Sequence, residues 1–358
     1  MRIVKHLFVI INWIAALLLL ASTLAGVVRP SAFIGFSLLS YLYFPLLLAN
    51  VVFVVGWLLV GSKQFLLSAL VIVVRWSFVT AFFQVGGHAD APDEGAQTFK
   101  VMSFNMHHFY GPYYVTDTKD ILDQKVRACS FVNLLRQEQP DVLCLQEFLP
   151  YTNGREIDVR DSLAALGYHY YAAAAPQYGH SASICWSKYP IVATQLIDTT
   201  CKVRVDVKVG DDTVRLFSLH LHSYQLTDDD HAELEQLTRG EGDRESGRVM
   251  LRKFKSTILA HDEEWEVLEP LLRESPYPVI VAGDFNDTPA SYIYQRMRKL
   301  LRDSYREKGK GFGTTYHGKF PAFRIDYILH DERLTPLSYQ RMNSEISDHY
   351  PIIATFQL

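Results

Sequence analysis

VIVAGDFNDTP, residues 279–289, decides how most of this chain is read. Val279 to Ala282 is a short apolar run of strand type, and it ends in Asp284 and Asn286, two side chains able to hold a metal ion or to move and donate protons. A single polar residue after a strand is usually a turn or cap, so the weight of this stretch depends on whether its neighbours repeat the pattern.

They do. SFN (103–105) ends at Asn105, CLQE (144–147) at Glu147, and SLHL (218–221) carries His220. Strand ends gathered at one rim of a sandwich can converge on one site. Two later pieces extend the set: RIDYI (324–328) puts Asp326 inside an otherwise apolar strand, and SDHYP (347–351) supplies Asp348 and His349. An unpaired carboxylate inside a strand is costly, so Asp326 needs a cationic or hydrogen-bonding partner, and His349 is the natural one.

Around these pieces the chain alternates short β-rich runs with helical periods. Strands are expected at 100–104, 142–145, 182–186, 203–209, 214–219, 279–282, 325–329 and 352–356. Val203, Val205, Val207 and Val209 alternate with charged residues, as in a strand with one buried face. Leu122, Val126, Cys129, Val132 and Leu135 form one helical stripe, and Leu251, Phe254, Ile258, Trp265, Leu268 and Leu272 another. Consecutive strands from 182 to 219, with no helix between them, argue against an all-parallel sheet and for a two-sheet sandwich flanked by helices.

The first part of the chain is a different material. No Asp or Glu precedes His88, and all 39 acids lie from Asp90 onward. Apolar stretches at 7–28, 36–60 and 65–85 each approach or exceed the roughly 20 residues a helix needs to cross a bilayer, and a cleaved signal peptide would account only for the first. The expected organisation is a multi-pass membrane anchor of three helices over 1–87, a linker over 88–97, and a catalytic domain over 98–358. Arg75 sits inside the third stretch, which fits a tilted or interfacial helix whose guanidinium snorkels. Arg2, Lys5, Arg29 and Lys63 give a positive-inside pattern that puts the N-terminus in the cytoplasm and the remaining domain on the other side of the cell membrane.

That remaining domain holds 39 acids against 30 of the 35 Lys and Arg, a formal charge of −9. Proteins that grip nucleic acid usually present a basic face, so the balance disfavours a nucleic-acid partner, and the acidic segment 223–247, read as a solvated loop, helix start or lid, would repel a polyanion. Cys129, Cys144, Cys185 and Cys201 show no metal-ligand spacing and read first as buried free thiols, while their even count leaves disulfides open in a domain outside the cytoplasm.

In order and wording, the six motifs resemble those of the endonuclease/exonuclease/phosphatase superfamily. The resemblance covers about 98–358 and implies an α+β fold, a four-layer α/β/β/α sandwich of two packed mixed sheets flanked by helices, here preceded by transmembrane helices. It implies Glu147 as the principal metal ligand, with Asn105 and Asp348 beside it, around Mg²⁺ or Mn²⁺. It implies Asp284 as the residue that orients or deprotonates the attacking water, Asn286 as a donor to phosphoryl oxygens, and His349, paired with Asp326, as the contact to the scissile phosphate. His220 occupies a second histidine position that abasic-site enzymes replace by tyrosine. Loop positions His180 and Tyr316 are candidate substrate contacts.

The expected function is metal-dependent hydrolysis of a phosphodiester or phosphomonoester at a membrane surface, on a lipid headgroup or small phosphorylated molecule. A nuclease is the alternative within the same chemistry, and a binding module that has lost catalysis the alternative outside it; the intact residue set argues against the second.

Overall fold

The computed structural model describes residues 2–110, 118–148, 157–174, 183–197, 201–241, 243–318 and 323–358. The chain forms two compact units, one from residues 84–222, 267–286 and 298–358 and the other from 1–83, 223–266 and 287–297.

The first of these units is built on strands β1 (Thr98–Asn105), β2 (Val142–Gln146), β3 (Tyr170–Ala174), β4 (Ser183–Ser187), β5 (Ile191–Leu196), β6 (Lys202–Val209), β7 (Asp212–His220), β8 (Val279–Asp284), β9 (Arg302–Asp303), β10 (Asp326–His330), β11 (Thr335–Arg341) and β12 (Ile352–Gln357). They make two six-stranded sheets, ordered β9-β10-β8-β7-β6-β5 and β11-β12-β1-β2-β4-β3. Each sheet is mixed: β1 runs parallel to β2 and β7 parallel to β8, while every other neighbouring pair is antiparallel.

Period-two patterning builds the layers. Val101, Val142, Cys144 and Cys185 of one sheet join Val203, Val205, Val207, Leu216, Ile280 and Ala282 of the other in one buried cluster. The intervening residues Met102, Phe104, Leu143 and Leu145 point to the opposite face and pack with Phe131, Val132 and Leu135 of the helix Thr118–Glu138. Full burial of each such side chain is worth about 1.5–3 kcal/mol. Leu268 and Leu272, in the last turns of the helix Arg244–Arg273, are buried as well. The architecture is the expected pair of mixed sheets flanked by helices.

The helical stripe read at 122–135 needs correction. Leu122, Val126 and Cys129 are exposed, and the buried face is Ala128, Phe131, Val132 and Leu135. The period holds, but the phase is rotated toward the bulkier Phe131. Of the four cysteines, all of them free, Cys144 and Cys185 are buried and face each other across β2 and β4, Cys201 is partly buried and Cys129 is exposed.

The parallel pair β7/β8 does most to bring polar side chains together, because its register sets His220 opposite Asp284 and Leu219 opposite Gly283. A Cβ on Gly283 would lie 1.9 Å from the Leu219 carbonyl oxygen, so only glycine permits this approach. Gly283→Ala is expected to destabilise the fold by at least about 1–3 kcal/mol through overpacking, read as a lowered denaturant midpoint; an unchanged midpoint would contradict the tight register.

In the second unit, Ile3–Gly26 is the one described helix long and apolar enough to cross a membrane by itself. The other two apolar stretches are each broken: Ile34–Ser40 and Tyr43–Leu59 meet at 65°, and Phe65–Val74 and Trp76–Phe82 at 72°. Counting three spans therefore requires each bent pair to act as one. Arg75 stands at the second bend, where the chain leaves helical geometry. Polar side chains link these helices: Ser68 Oγ donates to Asn50 Oδ1 (2.8 Å) or Asn12 Oδ1 (3.1 Å), and Asn50 Nδ2 donates to the Ala15 carbonyl at 3.1 Å.

The same unit contains the acidic stretch, which is largely helical. Thr227 caps the helix Asp228–Arg239 in a reciprocal capping box with Asp230, and Gly240 ends it in a left-handed conformation.

Candidate active site

The chain places its polar motif residues at one rim because β1, β2, β7 and β8 all end there. Parallel pairing aligns Asn105 with Gln146, next to Glu147, and His220 with Asp284, while the antiparallel register of β10 against β8 sets Asp326 opposite Asp284.

Asn105 ties the carboxylates together. Its Nδ2 donates to Glu147 Oε1 and to Asp284 Oδ2, both at 3.0 Å, and its Oδ1 accepts the His107 backbone N–H at 3.0 Å, which orients the amide. His220 Nε2 lies 3.5 Å from Glu147 Oε1 and 3.8 Å from Asp284 Oδ2. His349 donates from Nδ1 to Asp326 Oδ2 at 2.9 Å and turns Nε2 toward Asp284 Oδ2 at 3.8 Å. The Asn286 backbone N–H donates to Asp284 Oδ1 at 2.7 Å, and its side-chain amide to the Leu221 carbonyl at 3.0 Å.

Two carboxyls this close in a buried place influence each other. Burial, with the charge of Asp326 added, pushes Asp284 up to about 6. His349 is raised to about 10: burial works against its charge, but Asp326 and Asp284 outweigh it. Burial also disfavours the Asp348 anion, yet the hydrogen bond from His107 and the charge of His349 bring it down to about 2. Glu147 follows the same logic, held below its ordinary value by His220 and His107 against the cost of burial.

The backbone is strained here. Non-glycine residues with positive φ include His107 (41°), His108 (49°), Phe109 (59°), Glu147 (46°) and Asn286 (50°). Such conformations cost on the order of 1–3 kcal/mol each and persist where the surroundings over-determine them. The left-handed turn His107–Phe109 is pinned by the His108 N–H donating to the Glu147 carbonyl at 2.9 Å.

Of the residues singled out from sequence, Asn105, Glu147, His220, Asp284, Asn286, Asp326 and His349 form this connected group, and Asp348 joins it through His107. Tyr316 lies beside it, its backbone bridged to His349 and its ring edge-on to the imidazole at 5.1 Å. His180 falls outside the described residues. His107 was missed by sequence reading: its Nδ1 lies 3.0 Å from Asp348 Oδ1, and the only signal was its position two residues after Asn105. Thr315, in the same loop as Tyr316, accepts the N–H groups of Ile325 and Asp326 on its Oγ1, both at 3.0 Å, and so fixes the start of β10.

Asp284, Asp326 and His349 form a buried cluster of metal-competent type, with donor atoms within 4.8 Å of one another. Two buried atoms at the site, His220 Nε2 and Asp326 Oδ1, have no hydrogen-bond partner among the described residues, so the rim holds polar capacity that its own side chains leave unspent.

A family model described as the endonuclease/exonuclease/phosphatase family matches residues 102–349. The chain belongs to that family, whose members are phosphoesterase hydrolases. A second family model, for a domain of unknown function, matches residues 5–82. No curated protein sequence matches the chain. Among solved structures, a humanized Danio rerio TDP2 aligns at 18% identity over 73% of this chain and 99% of its own, with a TM-score of 0.50. An endonuclease/exonuclease/phosphatase from Beutenbergia cavernae aligns at 18% identity over 73% of this chain and 72% of its own, with a TM-score of 0.49. The catalytic domain of human nocturnin, solved with a bound sulfate anion, aligns at 16% identity over 72% and 94%, with a TM-score of 0.49.

Proposed function

We propose that this chain is a membrane-tethered, divalent-metal-dependent phosphoesterase that hydrolyses a phosphodiester or phosphomonoester of a lipid headgroup or small phosphorylated molecule by in-line attack of water. The observation that carries the reading is the convergence of eight polar motif residues on one sandwich rim, with His349 kept cationic by Asp326 beside the Asp284 carboxylate.

In that mechanism, Asp284 takes the proton of the attacking water, a role suited to a carboxyl raised to about 6 by burial and by Asp326. His349 donates from Nε2 to a phosphoryl oxygen and meets the charge that grows there. Asn286 orients a second oxygen through its amide, and His220 stands between Glu147 and Asp284 to contact the same group. The oxygens of Glu147, Asn105 and Asp348 suit a hard cation such as Mg²⁺ or Mn²⁺, which would supply Lewis-acid stabilisation of the phosphoryl charge. The Asp326–His349 hydrogen bond commits the buried cluster to holding a proton, which favours the Glu147 side for the ion.

Membrane tethering is supported by the single long apolar helix Ile3–Gly26 and by the exposed apolar side chains Leu7, Phe8, Leu58 and Leu70. The formal −9 carried from Asp90 onward favours lipid or small-molecule substrates over nucleic acid.

The test uses the full chain in detergent micelles or lipid nanodiscs, with Mg²⁺ or with EDTA, against bis-p-nitrophenyl phosphate, sphingomyelin, phosphoinositides and plasmid DNA. Turnover of the phosphate esters that EDTA abolishes supports the reading. Nicking of DNA without turnover of the lipids would replace it by a nuclease, and silence on all four would overturn it.

A further inference from the structure

Asp287, the residue immediately after Asn286, has no part in the chemistry above, yet it is 4% exposed and heavily partnered. The hydroxyl of Tyr41 donates to its Oδ1 at 3.0 Å, the Thr288 backbone N–H to the same oxygen at 2.8 Å, and His261 Nδ1 lies 3.1 Å from its Oδ2. The Tyr41 hydroxyl is also hydrogen-bonded to that of Tyr224. The rings of Tyr41, Tyr224 and Phe254 pack against one another, with centroids 4.9–6.1 Å apart.

Tyr41 belongs to the N-terminal segment, at the 65° bend between Ile34–Ser40 and Tyr43–Leu59. A second clamp lies twelve residues upstream. Arg29 Nε donates to both oxygens of Asp262, at 2.9 and 3.0 Å, and its guanidinium also reaches Glu266. The loop that joins the first two apolar stretches thus grips the helix Arg244–Arg273 through charge-assisted contacts from one guanidinium to two of its carboxylates, a specificity that a passive tether has no use for.

The consequence runs along the chain. Asn286 holds a left-handed φ of 50°, and its N–H holds Asp284 Oδ1. Asn adopts such a conformation more readily than other non-glycine residues, yet which conformation it keeps is set by its neighbours, and the neighbour on its C-terminal side is a carboxylate held by Tyr41.

We infer that the N-terminal segment is a positioning element for catalysis: Tyr41, by binding Asp287, fixes the backbone at Asn286 and with it the arrangement of Asp284 and Asn286. This rests on the phosphoesterase reading for its kinetic consequence but not for its structural one.

The experiment compares the full chain with Tyr41→Phe, which keeps the ring packing and removes only the hydroxyl, in the same nanodiscs. Amide hydrogen exchange of residues 284–288 is expected to accelerate while that of the β1 and β2 amides is unchanged, and unaltered exchange at 284–288 overturns the inference whether or not the protein turns over phosphate esters. With bis-p-nitrophenyl phosphate, kcat is expected to fall by about tenfold at unchanged KM, the scale of one hydrogen bond to a charged group. If Tyr41→Phe and Asp287→Asn act independently on kcat, rather than the double variant matching the worse single, the pair is not the link. Absent activity in the unsubstituted chain would sink the phosphoesterase reading alone, with the exchange result still deciding this one.

Discussion

His349→Ala lowers turnover of any phosphate ester the chain accepts by about 10²–10³-fold, the cost of removing one fixed donor aimed at the charge of the transition state. The Val and Leu layers between the sheets stay intact, but the buried Asp326 carboxylate loses its partner, so the variant is also less stable and turnover is compared at a temperature where circular dichroism shows it folded. Asp326→Asn separates position from charge at the same place. With Asp326 ionised, His349 stays protonated up to about pH 10, so activity that needs the cation persists below that value and is lost as pH rises through it. Asn keeps a hydrogen-bond partner but removes the main opposing charge. The alkaline limb of the pH–rate profile therefore moves to lower pH, and a limb that stays in place in Asp326→Asn separates the carboxylate from the function of His349.

Glu147→Gln carries the other large effect. The amide keeps the volume and the contact with Asn105, yet withdraws the negative charge that a hard cation needs. Turnover at subsaturating Mg²⁺ is expected to fall by about 10²-fold or more, since several kcal/mol of charge stabilisation depend on the ion, and calorimetric titration with Mg²⁺ or Mn²⁺ is expected to show weakened binding. Full activity at the same metal concentration would take Glu147 out of the metal site and return attention to the Asp284, Asp326 and His349 cluster.

Much of the candidate site was legible because its residues are conspicuous against their surroundings: Asp326 inside RIDYI and Asp284 after VIVAG are acidic groups in largely apolar strand sequence. The central strands were legible for the same reason, being buried along most of their length. The edge strands β3, β5 and β11 escaped, since Tyr171 and Val192 are exposed and mixed composition there leaves no alternation to see. At Leu122 and Val126 the helical period was present but two faces were apolar, and side-chain bulk, not spacing, chose between them. His107 could not be found from local pattern, because a left-handed turn at non-glycine residues contradicts their ordinary preference. The contacts of Arg29 and Tyr41 have no local signature at all; they join residues 233 and 246 positions apart.

Those separations also impose an order on biosynthesis. Arg29 and Tyr41 leave the ribosome well over two hundred residues before Asp262 and Asp287 exist, which at about 5–20 residues per second is roughly 10–50 s. For most of that interval, from the completion of residue 83 until residue 223 is made, the compact unit to which Arg29 and Tyr41 belong has only the first of its three pieces. Closing so long a loop is slow compared with forming local structure, so the last event in the maturation of that unit is the arrival of residues 287–297, and a nascent chain stalled before that point carries an N-terminal segment still waiting for its polar partner at Asp287.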